Sequence, residues 1–417
     1  MKIVIENFNI KQWFLISLLL RIIVMPFTMH GDLIFIYKSP HLMSHGEWDV
    51  YGILAEKNSV YYPPFSLIFF ATVQLIFRLF FPGFEQFTHS LGLLGKKALY
   101  GSEHLYLSLF LMKLPYLVFD CLIILTCWKM LSNNKSKLLF MVFWAINPVV
   151  IYGPYMFGQF DLIASFFVVL ACYFSLKEGK GHFATLSLAA GCLFKIYPIA
   201  FLPLVLCISS KNFKDFVRLL IYGAFPVLFF YGFFYSISGE AVLGVFKTQS
   251  HNIEIIDSLG VVVLRFFQGI VYALVCCHIF MIGRSKLDYP LLSQYFVIIY
   301  FAIYWGFSVS STHRYLFLIP FLIYFVHNRP EWKKPFYFLL AVIFLGGLRG
   351  RASFLGIFAP INPEFFLSFP SVKDISCYLF NCSIYTESIT LLFKGTTAIM
   401  TIILLKNLFQ PLYKRTS

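Results

Sequence analysis

Long apolar runs separated by short basic gaps extend through this chain from one end to the other, and that pattern fixes the environment in which it folds. Runs long enough or nearly long enough to cross a bilayer lie at about 11–28, 105–130, 139–157, 162–177, 216–237, 259–282, 290–307, 315–327, 335–348 and 388–406. A spanning helix needs about 20 mostly apolar residues. Hydrophobic residues make up 59% of the 417, and Asp, Glu, Lys and Arg only 12%, where soluble proteins carry about 25% charge. So little charge cannot coat a soluble surface of this size, which excludes a soluble enzyme. Disorder is excluded as well, since it requires low hydrophobicity and high charge. The pattern predicts an all-α polytopic membrane protein.

The stretch 183–209 is interrupted by Lys195 and Pro198 and is basic at both ends. Equal basic flanks imply an even number of crossings, so it reads as two short or broken helices meeting near Lys195. The net charge of +14 would suggest nucleic acid in a soluble protein. Here Lys and Arg sit in the gaps, where they set topology instead, and nucleic-acid binding is excluded. Placing the gaps around Lys129, Lys177, Lys211, Arg284 and Arg329 and the tail Lys414–Arg415 in the cytoplasm alternates with the runs. It predicts about 12 crossings, both termini cytoplasmic, and outer segments at 29–104, 238–258 and 349–387. Residues 65–82 are apolar enough to span, but a crossing there breaks the parity, so they read as a helix in the outer interface. Residues 1–417 form one integral membrane domain, with 29–104 as the first extracytoplasmic loop and 349–387 as a candidate small cap. The first run lacks a small-residue cleavage site after it and reads as a retained helix. Seven of the nine Cys lie in apolar runs; Cys377 and Cys382 share a polar gap, where a disulfide stays open.

Charged groups in or near a bilayer are costly, so each is a functional candidate. On this topology Asp32, Asp161, Lys195 and the pair His313–Arg314 all fall at outer ends of helices. Asp32 follows the first run directly; as a shielded carboxylate it could take a proton from a hydroxyl, or simply cap a helix. Glu47 and Asp49 follow in His45-Gly46-Glu47-Trp48-Asp49, before Tyr61-Tyr62-Pro63-Pro64-Phe65. In Gly153-Pro154-Tyr155-Met156-Phe157-Gly158-Gln159-Phe160-Asp161 the Gly and Pro residues break the helix. Backbone freed in this way must face protein or a wet cavity. Gln159 and Asp161 are then available to bind a polar ligand, with a capped outer turn as the plainer reading. Lys195, deep in an apolar run, suits a cavity holding an anion, and the Arg314 guanidinium suits phosphate. Arg349 and Arg351 are outer arginines that either bind phosphate or are merely solvated. No P-loop, G-x-G-x-x-G, H-E-x-x-H or G-x-S-x-G is present, and no residue set marks a metal site.

These elements, in this order, resemble the GT-C glycosyltransferases, polytopic enzymes that use sugars carried on polyprenyl phosphate. The nearest pattern is that of the dolichyl-phosphate-glucose glucosyltransferases together with bacterial polyprenyl-phosphate mannosyltransferases and their relatives. Gly31-Asp32, Glu47-Trp48 and Tyr62-Pro63-Pro64-Phe65 are similar to that family's first-loop steps. Gly158-Gln159-Phe160-Asp161, Lys195-Ile196-Tyr197-Pro198 and His313-Arg314-Tyr315 are similar to steps of the bacterial relatives, so the resemblance covers roughly 30–330. Leu33-Ile34-Phe35-Ile36 departs from the glucosyltransferases, which are polar there, and this leaves the sugar and acceptor open.

The resemblance implies a GT-C-like bundle whose long first loop carries interfacial helices. It implies transfer of a hexose, mannose or glucose, with inversion, to a lipid-linked glycan or other acceptor on the extracytoplasmic face. Asp32 would be the catalytic base. Lys195, Arg314 and Arg351 would bind the donor phosphate, with Gln159, Asp161, His313, Glu47 and Asp49 toward the substrates. The expected partners are membrane lipid, the donor and the acceptor. The donor is the co-substrate, and a divalent metal stays open as cofactor. The expected location is a bacterial inner membrane, or the endoplasmic reticulum in a eukaryote. A transporter or flippase of lipid-linked glycans, whose broken helices and intramembrane charges look alike, and a non-catalytic subunit of a glycosylation complex are the competing readings.

Overall fold

The computed structural model describes residues 8–57, 62–93, 96–246, 258–304, 312–328, 330–348, 350–379 and 382–409. Among these residues every regular element is helical, as expected where lipid offers the backbone no hydrogen-bond partner and each segment must satisfy its own.

Helix α1 (Ile10–Val24) starts from a capping box in which Asn9 and Gln12 each bond the other's backbone N–H. The first loop folds into α2 (Gly31–Ser44), α3 (Val50–Glu56), α4 (Pro64–Phe80) and α5 (Pro82–Leu93), with α2 packed on both α4 and α5. The apolar stretch 65–82 thus becomes α4, entered through Pro64 at its first position, where a missing N–H costs nothing. Then come α6 (Leu105–Met130) and α7 (Asn134–Ala145). Past a break at Asn147 follow a turn at Pro148–Ile151 and a π-helical segment, Tyr152–Phe157. Next are α8 (Asp161–Ser175) and α9 (Gly181–Phe194), a 3₁₀ turn at Tyr197–Phe201, α10 (Leu202–Ser209) and α11 (Phe213–Ser238). The chain continues through α12 (Ser258–Ile282), α13 (Tyr289–Tyr304), a 3₁₀ segment at Thr312–Phe317, α14 (Leu318–Asn328) and α15 (Lys333–Gly347). It ends with two short helices, α16 (Pro363–Ser368) and α17 (Val372–Leu379), and the long α18 (Cys382–Phe409). Helix α8 packs on α6, α9 and the Thr312–Phe317 segment, so these segments meet around it.

Four described helices are long and apolar enough to cross a membrane: Leu105–Met130, Phe213–Phe246, Arg265–Ile282 and Glu387–Phe409. A fifth is added if Asn134–Ala145 and Pro148–Phe157, bent by 57°, form one crossing. Most of the other runs, in which about 12 crossings are read from sequence, form apolar helices of 10–17 residues. At 1.5 Å per residue even a helix of 17 residues, about 25 Å, falls short of the ~30 Å hydrocarbon layer. The break expected in 183–209 falls at Lys195, which is extended between the end of α9 and the 3₁₀ turn. The apolar part of α6 is 61% buried, whereas that of Phe213–Phe246 is only 11% buried. The first is a central helix and the second a peripheral one, turning Phe225, Leu228 and Phe229 outward. Large apolar side chains exposed in such a contiguous face mark a lipid or partner surface.

Two buried polar knots hold the first helices together. Arg21 on α1 pairs with Asp120 on α6, and Asp120 also accepts from Trp144 Nε1 and from Tyr155 OH. The guanidinium donates further to the carbonyls of Ser17, Trp144 and Ala145. Seven residues before Asp120 on α6, Lys113 Nζ donates to the carbonyls of Met25 and Thr28 and to Thr28 Oγ1. Charges at zero to two per cent exposure survive only with such complete pairing.

Residues 353–360, within the stretch read as a candidate cap, are hydrogen-bonded to neighbouring segments. Ile357 O accepts from Met29 N at 2.9 Å, Pro360 O from Tyr106 OH at 2.9 Å, and Ser353 O from Tyr152 OH at 2.6 Å. Seven cysteines are free thiols and Cys377 is disulfide-bonded; the side chain of Cys382 lies outside the described residues.

Candidate functional site

The break between α7 and α8 positions the centre of the site. The π-helical segment ends at Gly158, whose φ of +86° is left-handed. A Cβ there would also stand 2.9 Å from Leu33 Cβ, so only glycine fits on both counts. The N–H groups of Gly158 and Gln159 both donate to Gly153 O, at 3.0 and 3.1 Å, and Tyr116 OH donates to Gly158 O at 2.9 Å. This turn aims Gln159 at the start of α2 and leaves Asp161 in the first turn of α8, where a carboxylate is favoured by the helix dipole.

Gln159 Nε2 donates to Asp32 Oδ2 at 2.6 Å, and Gln159 Oε1 accepts from Lys195 Nζ at 3.1 Å. Lys195 Nζ lies 3.8 Å from Asp161 Oδ2, and Asp161 Oδ1 accepts from Tyr197 OH. The ammonium sits over the rings of Phe160 and Tyr62, at 4.3 and 5.1 Å from their centroids, a cation–π cage suited to a dry site. Lys195 and Asp161 are 7% and 1% exposed, whereas the Asp32 side chain keeps 35%. The carboxylate of Asp32 is therefore the open face of the cluster.

His30 Nδ1 lies 3.2 Å from both the N–H and Oδ1 of Asp32. It can serve only one of them. Unprotonated, it caps α2; protonated, it donates to the carboxylate. Burial pushes the Asp32 carboxyl up. The His30 hydrogen bond and charge, the His313 charge and the Gln159 amide act the other way, and they hold it well below the usual carboxylate range.

The His30 ring stacks on Phe157 at 3.6 Å, and Phe157 lies 5.0 Å from the ring of His313. His313 is 6% exposed, and its Nδ1 has no hydrogen-bond partner among the described residues. A Cβ on Gly153 would meet His313 at 3.2–3.3 Å, so the two segments approach as closely as a glycine permits. Arg314 is half-buried, and Lys195 and His313 both lie within its field. Residues scattered from Asp32 to Arg314 therefore converge.

The other candidates are placed differently. Asp49 caps α3 by accepting from Gly52 N at 3.1 Å, and Glu47 accepts from Asp49 N at 3.1 Å; their described bonds are local to the loop. The Arg351 backbone opens a 3₁₀ turn beside Tyr152, but its side chain lies outside the described residues, as do Arg349 and Tyr61. Sequence reasoning gave no role to His30, Phe157 or Tyr197. Among 25 Tyr and 52 Phe, nothing marks the few that face a charge.

No protein-family model, curated protein or solved structure matches the chain.

Proposed function

We propose that the chain is an integral membrane glycosyltransferase. In this reading it moves a hexose from a polyprenyl-phosphate donor to a lipid-linked glycan or similar acceptor, with inversion, on the extracytoplasmic face. The observation that carries the proposal is the line Asp32–Gln159–Lys195–Asp161, with His313 and Arg314 beside it. It sets a half-exposed carboxylate and a caged ammonium on opposite ends of one amide.

The chemistry asks for that separation. Asp32, ionised at neutral pH, receives the proton of the acceptor hydroxyl as it attacks the anomeric carbon. The departing phosphate gains negative charge, which Lys195 and Arg314 offset electrostatically, with Arg351 as a third cation from the cap. The Nδ1 of His313, without a hydrogen-bond partner among the described residues, is available to a sugar hydroxyl or phosphate oxygen. The lipid tail of the donor remains against the outward-facing Phe and Leu side chains. The topology belonging to this reading has about 12 crossings, counting the shorter apolar helices as broken spans or as short spans met by local bilayer thinning, and both termini in the cytoplasm.

The test is purified wild-type protein offered a panel of polyprenyl-phosphate sugars with candidate acceptors, scored for transfer or donor hydrolysis. Turnover of at least one donor is expected. Saturable movement of lipid-linked glycan across vesicles without any turnover would make the protein a transporter and end the enzyme reading.

A further inference from the structure

Away from that site, His41 and His45 on one helix face Glu85 and His89 on another. Each pair is spaced four residues apart, which brings its members onto one face of a helix. His41 lies near the end of α2, and His45 is its C-cap; Glu85 and His89 belong to α5, packed against α2. Ligand atoms of His41, His45 and Glu85 all lie within 4.8 Å of one another. The ring of His89 stands at the rim, 5.6 Å from that of His41.

The hydrogen bonds around the cluster decide which ring nitrogens point into it. His45 Nδ1 lies 2.9 Å from the carbonyl oxygen of His41. A carbonyl can only accept, so the proton is on Nδ1 and the lone pair on Nε2. Gln74 on α4 donates its amide to Tyr37 O at 2.9 Å, which turns its Oε1 toward His41 Nδ1 at 3.2 Å. That bond likewise requires a proton on Nδ1 and leaves Nε2 of His41 free. Such outer bonds from the far nitrogen of a histidine are characteristic of metal-ligating imidazoles.

His45 Nε2 then meets Glu85 Oε1 at 2.8 Å. A lone pair facing a carboxylate oxygen at this distance needs a cation between or beside them, either a proton or a metal ion. Glu85 Oε2 is buried and has no hydrogen-bond partner among the described residues, so one carboxylate oxygen stays unspent. The side chains of His45 and Glu85 are 45% and 29% exposed, which leaves the cluster open to ions from solvent.

We propose that His41, His45 and Glu85 form a zinc site that fastens the C-terminal end of α2 to α5, with His89 or water as fourth ligand. Two imidazoles and a carboxylate suit Zn²⁺ at about 2.0–2.2 Å. Tetrahedral coordination opens the His45–Glu85 edge only to ~3.3 Å. Asp32 lies nine residues from His41 along α2, roughly 14 Å at the helical rise. The metal is therefore an anchor for the helix that carries Asp32 and takes no part in chemistry there. Nothing in this inference depends on the glycosyltransferase reading.

The experiment uses full-length protein purified without a polyhistidine tag and stripped with EDTA. Zn²⁺ uptake is counted by elemental analysis after desalting, and Co²⁺ is added as a visible probe of tetrahedral nitrogen and oxygen coordination. About one zinc per chain and a tetrahedral cobalt spectrum are expected. His45→Ala, an exposed position, and Glu85→Gln should each abolish stoichiometric uptake while eluting as wild type. Gln74→Leu should weaken binding about 10- to 100-fold, as loss of an outer-shell partner does. Absence of zinc uptake by wild type would reduce the cluster to a His45–Glu85 ion pair. Undiminished uptake by His45→Ala and Glu85→Gln would place the metal elsewhere, and either result overturns the proposal.

Discussion

Gln159 holds Asp32 by an amide hydrogen bond of 2.6 Å across 127 residues of chain. The same amide takes a hydrogen from Lys195, so it cannot turn over without breaking both bonds. If Asp32 is the base of the transfer, Asp32→Asn keeps the shape and still accepts from Gln159, but it cannot receive a proton. Transfer should fall by at least about 10²–10⁴-fold, with thermal stability near wild type. Asp49→Asn should leave transfer nearly unchanged, because Asn caps a helix as well as Asp. The reverse ranking in a steady-state assay would show that the wrong carboxylate has been chosen.

Lys195 contributes charge to the proposed site and moves no proton. Lys195→Ala should weaken donor binding by about 10- to 100-fold, the loss of one charge-assisted hydrogen bond. Lys195→Arg should retain part of it. Equal donor affinity in all three proteins, measured by equilibrium binding, would leave Lys195 a purely structural partner of Asp161.

The lowered pKa of Asp32 has a definite sign in pH. Its folded carboxyl titrates below the unfolded value of about 3.9, so the stability it contributes is present above that value and lost as pH falls through the folded one. No acid limb from Asp32 should appear in transfer between about pH 5 and 8. His30→Phe keeps an aromatic ring against Phe157 and removes both His30 contributions. The acid limb of kcat/KM and the acid loss of thermal stability should then both move to higher pH. Superimposable pH–stability curves for the two proteins would mean that His30 does not tune Asp32.

Removing one member of the Arg21–Asp120 pair strands the other in a buried place, at a cost of about 3–5 kcal/mol. Arg21→Leu and Asp120→Leu should each lower the unfolding temperature of the purified protein. The double variant should lose clearly less than the sum of the two. Simple additivity would show that Trp144, Tyr155 and the backbone carbonyls, and not the ion pair, set the cost.

Much of the site was legible because a charge inside an apolar run stands out. Lys195 interrupts 183–209, and Gly158 next to Gln159 announces a broken helix. The same rule did not single out Arg21, Lys113 or Asp120, whose pairing becomes visible only once α1 and α6 lie side by side. Apolar length in the sequence also does not separate the four or five helices long enough to cross from the shorter ones. Composition does not reveal that Asn147-Pro148 and the π-helical turn divide one run at 57°. Asp32 stands apart from Glu47 and Asp49 in sequence because it follows the first run directly. The fold adds that those two are bonded within their own loop while Asp32 meets Gln159. His41 and Glu85, 44 residues apart, form no linear motif; the packing of α2 on α5 joins them.

The Arg21–Asp120 pair also has a consequence in time. The two residues are 99 positions apart, and a ribosome adds about 5–20 residues per second. If α1 is a crossing, as in the proposed topology, it meets the membrane with an unmatched guanidinium and waits roughly 5–20 s for its counter-charge. An arginine at the centre of a spanning helix is unfavourable by about 2.5–3.5 kcal/mol, an upper figure for Arg21 in the last turn of α1, so on that topology we expect α1 to stay beside the insertion machinery until α6 arrives. Ribosome-arrested chains ending just before Asp120 should release α1 to alkaline extraction, and chains long enough to expose all of α6 should retain it. Equal retention of both would mean that α1 settles in the lipid alone.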